Sequence, residues 1–167
     1  CEYWAVTMMN SQLSTEFAPA VVIGNRNVEA ATVQVTRGTV FSELVVVQPE
    51  STAVVELPWV LQLKDGGANL PGAAYHIESS LPVTVYQFNP LEYALGYDCQ
   101  DVDSNPIDGE CFSYSNDASL LLPAPTLTEH YLIMSRPNLG LRYELIDLGD
   151  RHFHFSPAVL TVVNPQD

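Results

Sequence analysis

The segment DCQDVDSNPIDGEC, residues 98–111, concentrates side chains that could bind a cation. Ca²⁺ prefers oxygen ligands, and Asp101, Asp103 and Asn105 alternate along the chain as the ligands of a calcium loop do. The EF-hand pattern then fails, because its sixth position would be Pro106 and its twelfth Phe112. Ca²⁺ is therefore a candidate ligand in a different wrap of the loop, with a solvated acidic loop as the alternative, and no other cofactor is predicted. The candidate calcium ligands are Asp98, Asp101, Asp103, Asn105, Asp108 and Glu110.

Two of the three cysteines enclose most of this acidic segment. Cys99 and Cys111 lie in one polar, turn-rich stretch, whereas a zinc site would need further thiols or a nearby pair of histidines. We predict a disulfide between them, which indicates an oxidising compartment and hence an extracellular or cell-surface location. Closing so short a loop would stabilise the folded state by about 3 kcal/mol. We expect Cys1 to bond to upstream chain or to another subunit, with a free thiol as the alternative.

Aromatic side chains flank the cysteine pair on both sides. Rings beside carboxylates can stack on a sugar while the acids bind its hydroxyl groups, so a carbohydrate is a candidate ligand. More commonly, such rings pack beneath a loop and anchor it to a sheet. The candidate stacking residues are Tyr93, Tyr97, Phe112 and Tyr114.

Other chemistry has weaker support in the sequence. His152 and His154 are two residues apart, which on a strand puts both on one face, and with Glu144, Asp147 or Asp150 they could bind zinc or copper. No further ligand stands at a characteristic spacing, so a solvent-facing pair is the simpler interpretation. The chain also lacks a G-x-S-x-G elbow, an HExxH motif and a Gly-rich phosphate loop. We therefore predict that it is not an enzyme.

The charge balance narrows the classes of partner. Six basic residues stand against twenty acidic ones, for a net charge of −14. Such a surplus repels phosphate backbones and anionic lipid, so we predict no nucleic-acid partner. No apolar run approaches the roughly 20 residues that span a bilayer, so membrane insertion is not expected either.

Short segments with strand character, separated by turn residues, must position these side chains. They predict an all-β protein, an antiparallel β-sandwich of short strands with little helix, and a barrel is the alternative. Only PWVLQLKDGG resembles a helix, of two turns at most, beginning at Pro58 and ending at Gly66. The predicted strands are YWAVTM, AVVIG, ATVQVTR, VFSELVVV, TAVVEL, AAYHIES, PVTVYQF, SLLL, YLIMS, RYELI and PAVLTVV.

A short internal match suggests two related units. FAPAVV at residues 17–22 recurs as FSPAVL at residues 155–160, and a tyrosine-led segment precedes each copy. We predict a first β-sandwich unit over residues 3–129, and over residues 130–167 the start of a second related unit or its edge strands. An incomplete β unit leaves strand edges unpaired. Either the chain continues in a longer tandem protein, or another subunit completes those edges.

Three segments carry a resemblance to a known family: PVTVYQFNPLEY, CFSYSNDASLLLPA and YLIMSRP. With them, the chain resembles the N-terminal domain family of IgGFc-binding proteins, in the versions found in large cell-surface or secreted proteins of myxobacteria. The resemblance covers nearly all of residues 3–167 and is most specific over residues 82–123. It implies an extracellular, disulfide-containing, all-β protein built of successive related units. It implies no catalytic or binding residues.

These observations together predict a structural and adhesive module of the cell surface or extracellular space, without catalysis. Its partner would be protein, either another copy or the remainder of a longer chain, and association through strand edges could build a larger or filamentous structure. The segment PAVLTVV, residues 157–163, would be the donor strand. The alternative is a calcium-dependent carbohydrate-binding module centred on the loop between Cys99 and Cys111.

Overall fold

The computed structural model describes residues 1–7, 15–64, 70–96, 113 and 117–127, and the backbone of residues 139–144 and 151–156. The chain divides into two compact units, Cys1–Leu127 with Val163–Asp167, and Thr128–Val162. The kinship of the second unit to the first stays a prediction.

The described part of the chain is built almost entirely of antiparallel strands, which confirms the predicted all-β class. Helix is limited there to two short 3-10 segments, Leu61–Lys64 and Ala124–Thr126. The strands are β1 (Glu2–Ala5), β2 (Ala20–Asn25), β3 (Ala31–Arg37), β4 (Phe41–Val47), β5 (Ser51–Glu56), β6 (Tyr75–Ser79), β7 (Thr84–Asn89), β8 (Asp117–Leu121), β9 (Leu139–Glu144) and β10 (Arg151–Ser156).

The first eight strands form the two sheets of a sandwich. Sheet A has the strand order β1-β6-β3-β4, and sheet B has the order β5-β2-β7-β8. Every pairing within them is antiparallel. Among the described strands, β1 and β4 therefore end sheet A, and β5 and β8 end sheet B.

The core lies between the two sheets because apolar residues alternate with polar ones along the strands. In β3, Val33 and Val35 are fully buried, while Thr32, which precedes Val33, is exposed. Ile77 of sheet A and Ile23 of sheet B belong to the same buried cluster. Each aliphatic side chain removed from water in this way stabilises the fold by about 1.5–3 kcal/mol.

The predicted strand AVVIG is one residue longer than expected, because β2 continues through Asn25. The Asn25 side chain is fully buried, and its Nδ2 donates to the carbonyl oxygens of Glu29 at 2.8 Å and Val47 at 2.9 Å. Its Oδ1 accepts the backbone N–H of Asn27 at 2.9 Å. The amide therefore ties the end of β2 to the following turn and to the end of β4, and the turn itself begins after Asn25.

The predicted helix begins later than expected, and its predicted end at Gly66 lies outside the described residues. Pro58 and Trp59 precede the 3-10 segment Leu61–Lys64 and are held outside it by side-chain contacts. The Trp59 Nε1 donates to the Phe17 carbonyl oxygen at 2.7 Å, and the buried Tyr75 hydroxyl donates to the Pro58 carbonyl oxygen. These tertiary contacts outweigh the local helix preference.

Strands β9 and β10 pair as an antiparallel hairpin within the second unit. The register runs from Arg151 opposite Glu144 to Ser156 opposite Leu139. His152 and His154 both lie in β10, as the strand interpretation of their spacing requires. The predicted donor segment, residues 157–163, lies outside the described residues.

Candidate interaction surfaces

Most of the acidic loop lies outside the described residues. The disulfide, the calcium site and three of the four stacking positions therefore stay predictions. The residues concerned are Tyr97, Asp98, Cys99, Asp101, Asp103, Asn105, Asp108, Glu110, Cys111, Phe112 and Tyr114.

The described ends of that loop are held together by hydrogen bonds. The Ser113 backbone N–H donates to the Tyr93 carbonyl oxygen at 2.9 Å, and the Ser113 hydroxyl donates to the same oxygen at 3.3 Å. Ser113 is buried, whereas the Tyr93 side chain is exposed. Leu95, two residues on, packs against buried Phe17. The segment between Tyr93 and Ser113 therefore starts and ends at one place on the sandwich, with the Tyr93 ring on the surface.

Cys1 has an exposed free thiol and a well-paired backbone. Its nitrogen donates to the Ser79 carbonyl oxygen at 2.6 Å, and the Ser79 N–H donates back to the Cys1 carbonyl oxygen at 2.7 Å. These two bonds extend the β1–β6 ladder by one residue pair. The thiol therefore stands at the β1 edge of sheet A.

A small polar and aromatic cluster lies on the outer face of sheet A, near Cys1. The rings of Trp4 and His76 stack with their centroids 4.4 Å apart. A single oxygen, Glu2 Oε1, accepts the Trp4 Nε1 at 3.2 Å and lies 2.9 Å from the His76 Nε2. Through this stacking and hydrogen bonding, the side chains of the cluster link β1 to β6. Glu78 stands opposite Glu2 in the register, so this face also carries charge.

The described residues show little that could hold a metal ion or cross a membrane. None of their His, Cys, Asp and Glu side chains form a group of three or more suited to a metal ion. Within the same residues, every helix is too short or too polar to cross a membrane.

In the part of the chain that the structure describes, strand β4 is an edge strand with little of the usual protection. Natural edge strands are commonly short, or carry lysine, proline, a bulge or an inward-pointing charge that prevents further pairing. β4 has seven residues and no proline, and its one charged residue, Glu43, stands opposite the buried Val35 on the core-facing side. Leu44 and Val46, on the outer face of sheet A, are 62% and 52% exposed. An edge of this length and composition is suited to pairing with another strand.

The outer face of sheet B carries a row of apolar side chains. The strand registers place Val54, Val22, Tyr86 and Leu120 side by side across all four strands. Val54, Tyr86 and Leu120 are 49%, 42% and 52% exposed, respectively. We call this row, with its neighbours on the same face, the sheet B face. The neighbouring positions are Thr52, Gly24 and Thr84 on one side, and Glu56, Ala20, Phe88 and Ala118 on the other.

Sequence reasoning did not find the sheet B face. Its members come from four segments that are far apart along the chain, and only the register brings them into one row. A signal for it was present, since TAVVEL and SLLL have apolar residues at successive positions and so on both faces of the strand.

Comparison with models of known families, with curated proteins and with solved structures found no match to this chain.

Proposed function

We propose that the chain is a structural and adhesive β module of the cell surface or extracellular space, which associates with other copies or with neighbouring units through a strand edge. The observation that carries the proposal is the seven-residue edge strand β4, with Leu44 and Val46 exposed on it. An edge strand presents unpaired N–H and C=O groups, and a second strand added there satisfies them through main-chain hydrogen bonds.

A second β4 is a suitable partner for this edge. Two β4 strands paired antiparallel about Val45 would bring Leu44 of each copy opposite Val46 of the other. Glu43 would then stand opposite Val47, so the single charge of the strand would not face its own copy. The four-stranded sheet A of each copy would become half of a continuous sheet. The predicted donor segment at residues 157–163 is a second candidate strand for the same edge.

The extracellular location rests on two sequence features. A disulfide between Cys99 and Cys111 would persist only in an oxidising compartment. The resemblance to the N-terminal domain family of IgGFc-binding proteins points the same way. Cys1 is a candidate covalent link between copies, because its thiol is exposed beside the β1 edge.

Sedimentation velocity across a range of protein concentrations tests the proposal. Wild type should associate as its concentration rises, and the double variant L44K/V46K should remain monomeric at the concentrations where wild type first dimerises, because lysine on an edge strand opposes further pairing. The matched control is Val28→Lys, at a valine that is 91% exposed in the turn after β2, and it should associate like wild type. A wild type that stays monomeric at every concentration, or an L44K/V46K variant that associates normally, would refute the edge-pairing proposal.

The second candidate function is a calcium-dependent carbohydrate-binding module. The observation that favours it is that the Tyr93 ring is exposed where hydrogen bonds to Ser113 join the two described ends of the acidic loop. If this function is correct, Ca²⁺ should raise the melting temperature, and titration calorimetry should register its binding. The variant D101N/D103N should lose both effects. Absence of heat and of a melting shift with wild type would dismiss this candidate.

A further inference from the structure

The sheet B face is the part of the sandwich surface best suited to meet a like-charged copy. The whole chain carries a net charge of −14, so two copies repel each other over most orientations. Among the described strand residues of this face, Glu56 is the only one with a formal charge. The outer face of sheet A, by contrast, carries Glu2 and Glu78. Contact through the sheet B face therefore costs little electrostatic repulsion.

The side chains of this face suit sheet-on-sheet packing. Val54 and Leu120 stand at the two edge strands, with Val22 and Tyr86 between them, so the apolar row spans the full width of the sheet. Gly24 and Ala20 flank Val22 along β2. Because glycine has no side chain and alanine only a methyl group, the centre of the face does not protrude. Aligned sheets pack through such faces at a separation of about 10 Å, with their side chains interdigitating.

The size of the face sets the strength of the contact. With strands about 4.8 Å apart and outward-facing residues about 6.8 Å apart along each strand, four strands and three rows cover roughly 400 Å². Two copies would thus bury about 800 Å² together, below the roughly 1,200 Å² of a stable specific interface. The contact is therefore weak, and it forms only at high protein concentration.

We propose that the sheet B face is a second self-association surface, whose partner is the sheet B face of another copy. The inference rests on the proposed edge pairing through β4 and adds to it. Each contact relates two copies by a two-fold axis and uses the same patch on both. Each copy would then have two different two-fold contacts, one through β4 and one through the sheet B face. Along an assembly these contacts would join successive copies in turn, so the copies would form an open chain instead of stopping at a dimer.

The test compares assembly size among four proteins by sedimentation velocity and light scattering, with circular dichroism to verify folding. Wild type should exceed a dimer at high concentration. The variant Y86E/L120E should stop at a dimer, because carboxylates facing each other across the contact repel. L44K/V46K should form at most a weak dimer, because only the face contact is left to it. Val28→Glu, which adds a carboxylate at an exposed valine in the turn after β2, should assemble like wild type.

The outcomes separate the two proposals. A Y86E/L120E variant that still forms assemblies larger than a dimer overturns the face contact and leaves edge pairing intact. If wild type stops at a dimer and Y86E/L120E forms the same dimer, the face contact is likewise overturned and edge pairing is left intact. If L44K/V46K assembles like wild type while Y86E/L120E is monomeric, the face contact stands and the edge pairing fails.

Discussion

At the scale of single residues, two buried polar side chains determine how the loops lie against the sandwich. Asn25 joins three backbone segments through its amide, and Tyr75 joins β6 to Pro58 and Arg37. The Arg37 Nη1 donates to the Tyr75 hydroxyl at 3.1 Å, and its guanidinium carbon lies 5.1 Å from the centroid of the same ring. Each residue satisfies groups that would otherwise be buried without a partner, and each can be tested by removing those bonds.

Replacing Asn25 by Ala should lower the free energy of unfolding by about 3 kcal/mol, because buried carbonyl oxygens, including that of Val47, lose their donor. Urea or guanidinium unfolding of the variant beside wild type measures the change. Val28→Ala, in the adjoining exposed turn, should change it by less than about 0.5 kcal/mol. A cost for Asn25→Ala as small as that of the control would show that the amide is not structural.

Tyr75 should make the protein sensitive to high pH. Burial raises the pKa of Tyr75 above its usual value of 10.0, and the neighbouring Arg37 only partly offsets this. The folded chain thus holds the phenol proton more tightly than the unfolded chain does. The contribution that this tighter proton binding makes to the free energy of unfolding is fully present below pH 10. It falls as the pH rises from there towards the raised pKa of Tyr75.

Unfolding free energies measured from neutral pH to above pH 10 test the Tyr75 effect. Tyr75→Phe should be less stable at neutral pH, because the bond to Pro58 is lost, and should decline less steeply at high pH. Tyr86→Phe is the matched control for removing a hydroxyl from an exposed ring. An equally steep decline in Tyr75→Phe and wild type would mean that another group causes it.

At the scale of elements, short apolar and β-branched segments separated by turn residues were enough to predict the strands of the first unit. Each of the eight predicted segments from YWAVTM to SLLL overlaps one of β1 to β8. The prediction succeeds because one side of each strand faces a shared core. It fails for Asn25 and for the helix at Pro58, where partners distant in sequence decide the local structure. The sheet B face was also missed, since pairing register depends on partners that no single segment contains.

The loop between β7 and β8 should contain an intact disulfide. The intact mass of the native protein should be lower than that of the reduced chain by the mass of two hydrogens, and peptide mapping should join Cys99 to Cys111. The variant C99S/C111S should be less stable by about 3 kcal/mol. Native material with both thiols free would remove the argument for an oxidising compartment.

At the scale of the whole molecule, the two proposed surfaces share one physical cause. A net charge of −14 keeps copies apart, so the proposed association depends on main-chain pairing at β4 and on the nearly uncharged sheet B face. The charge follows directly from the sequence, which also predicted the fold class, and edge association stays a prediction. It could not predict which edge is open, because that depends on the order of strands within each sheet.

Salt should strengthen self-association. Raising the ionic strength screens the repulsion between two acidic copies, whereas it would weaken binding to a basic partner. The midpoint of wild-type association in sedimentation experiments should therefore move to lower protein concentration as sodium chloride is added. A midpoint that moves to higher concentration would indicate that attraction between opposite charges holds the assembly together.

Hydrogen exchange of the β4 backbone, followed by mass spectrometry as a function of protein concentration, tests edge pairing most directly. Edge pairing predicts that peptides covering Phe41–Val47 exchange more slowly as the protein associates, because new hydrogen bonds protect their outward amides. Peptides covering Ser51–Glu56, the edge strand of sheet B beside β4, should gain no comparable protection. Association that leaves β4 exchange unchanged, or that protects β5 in its place, would contradict the account.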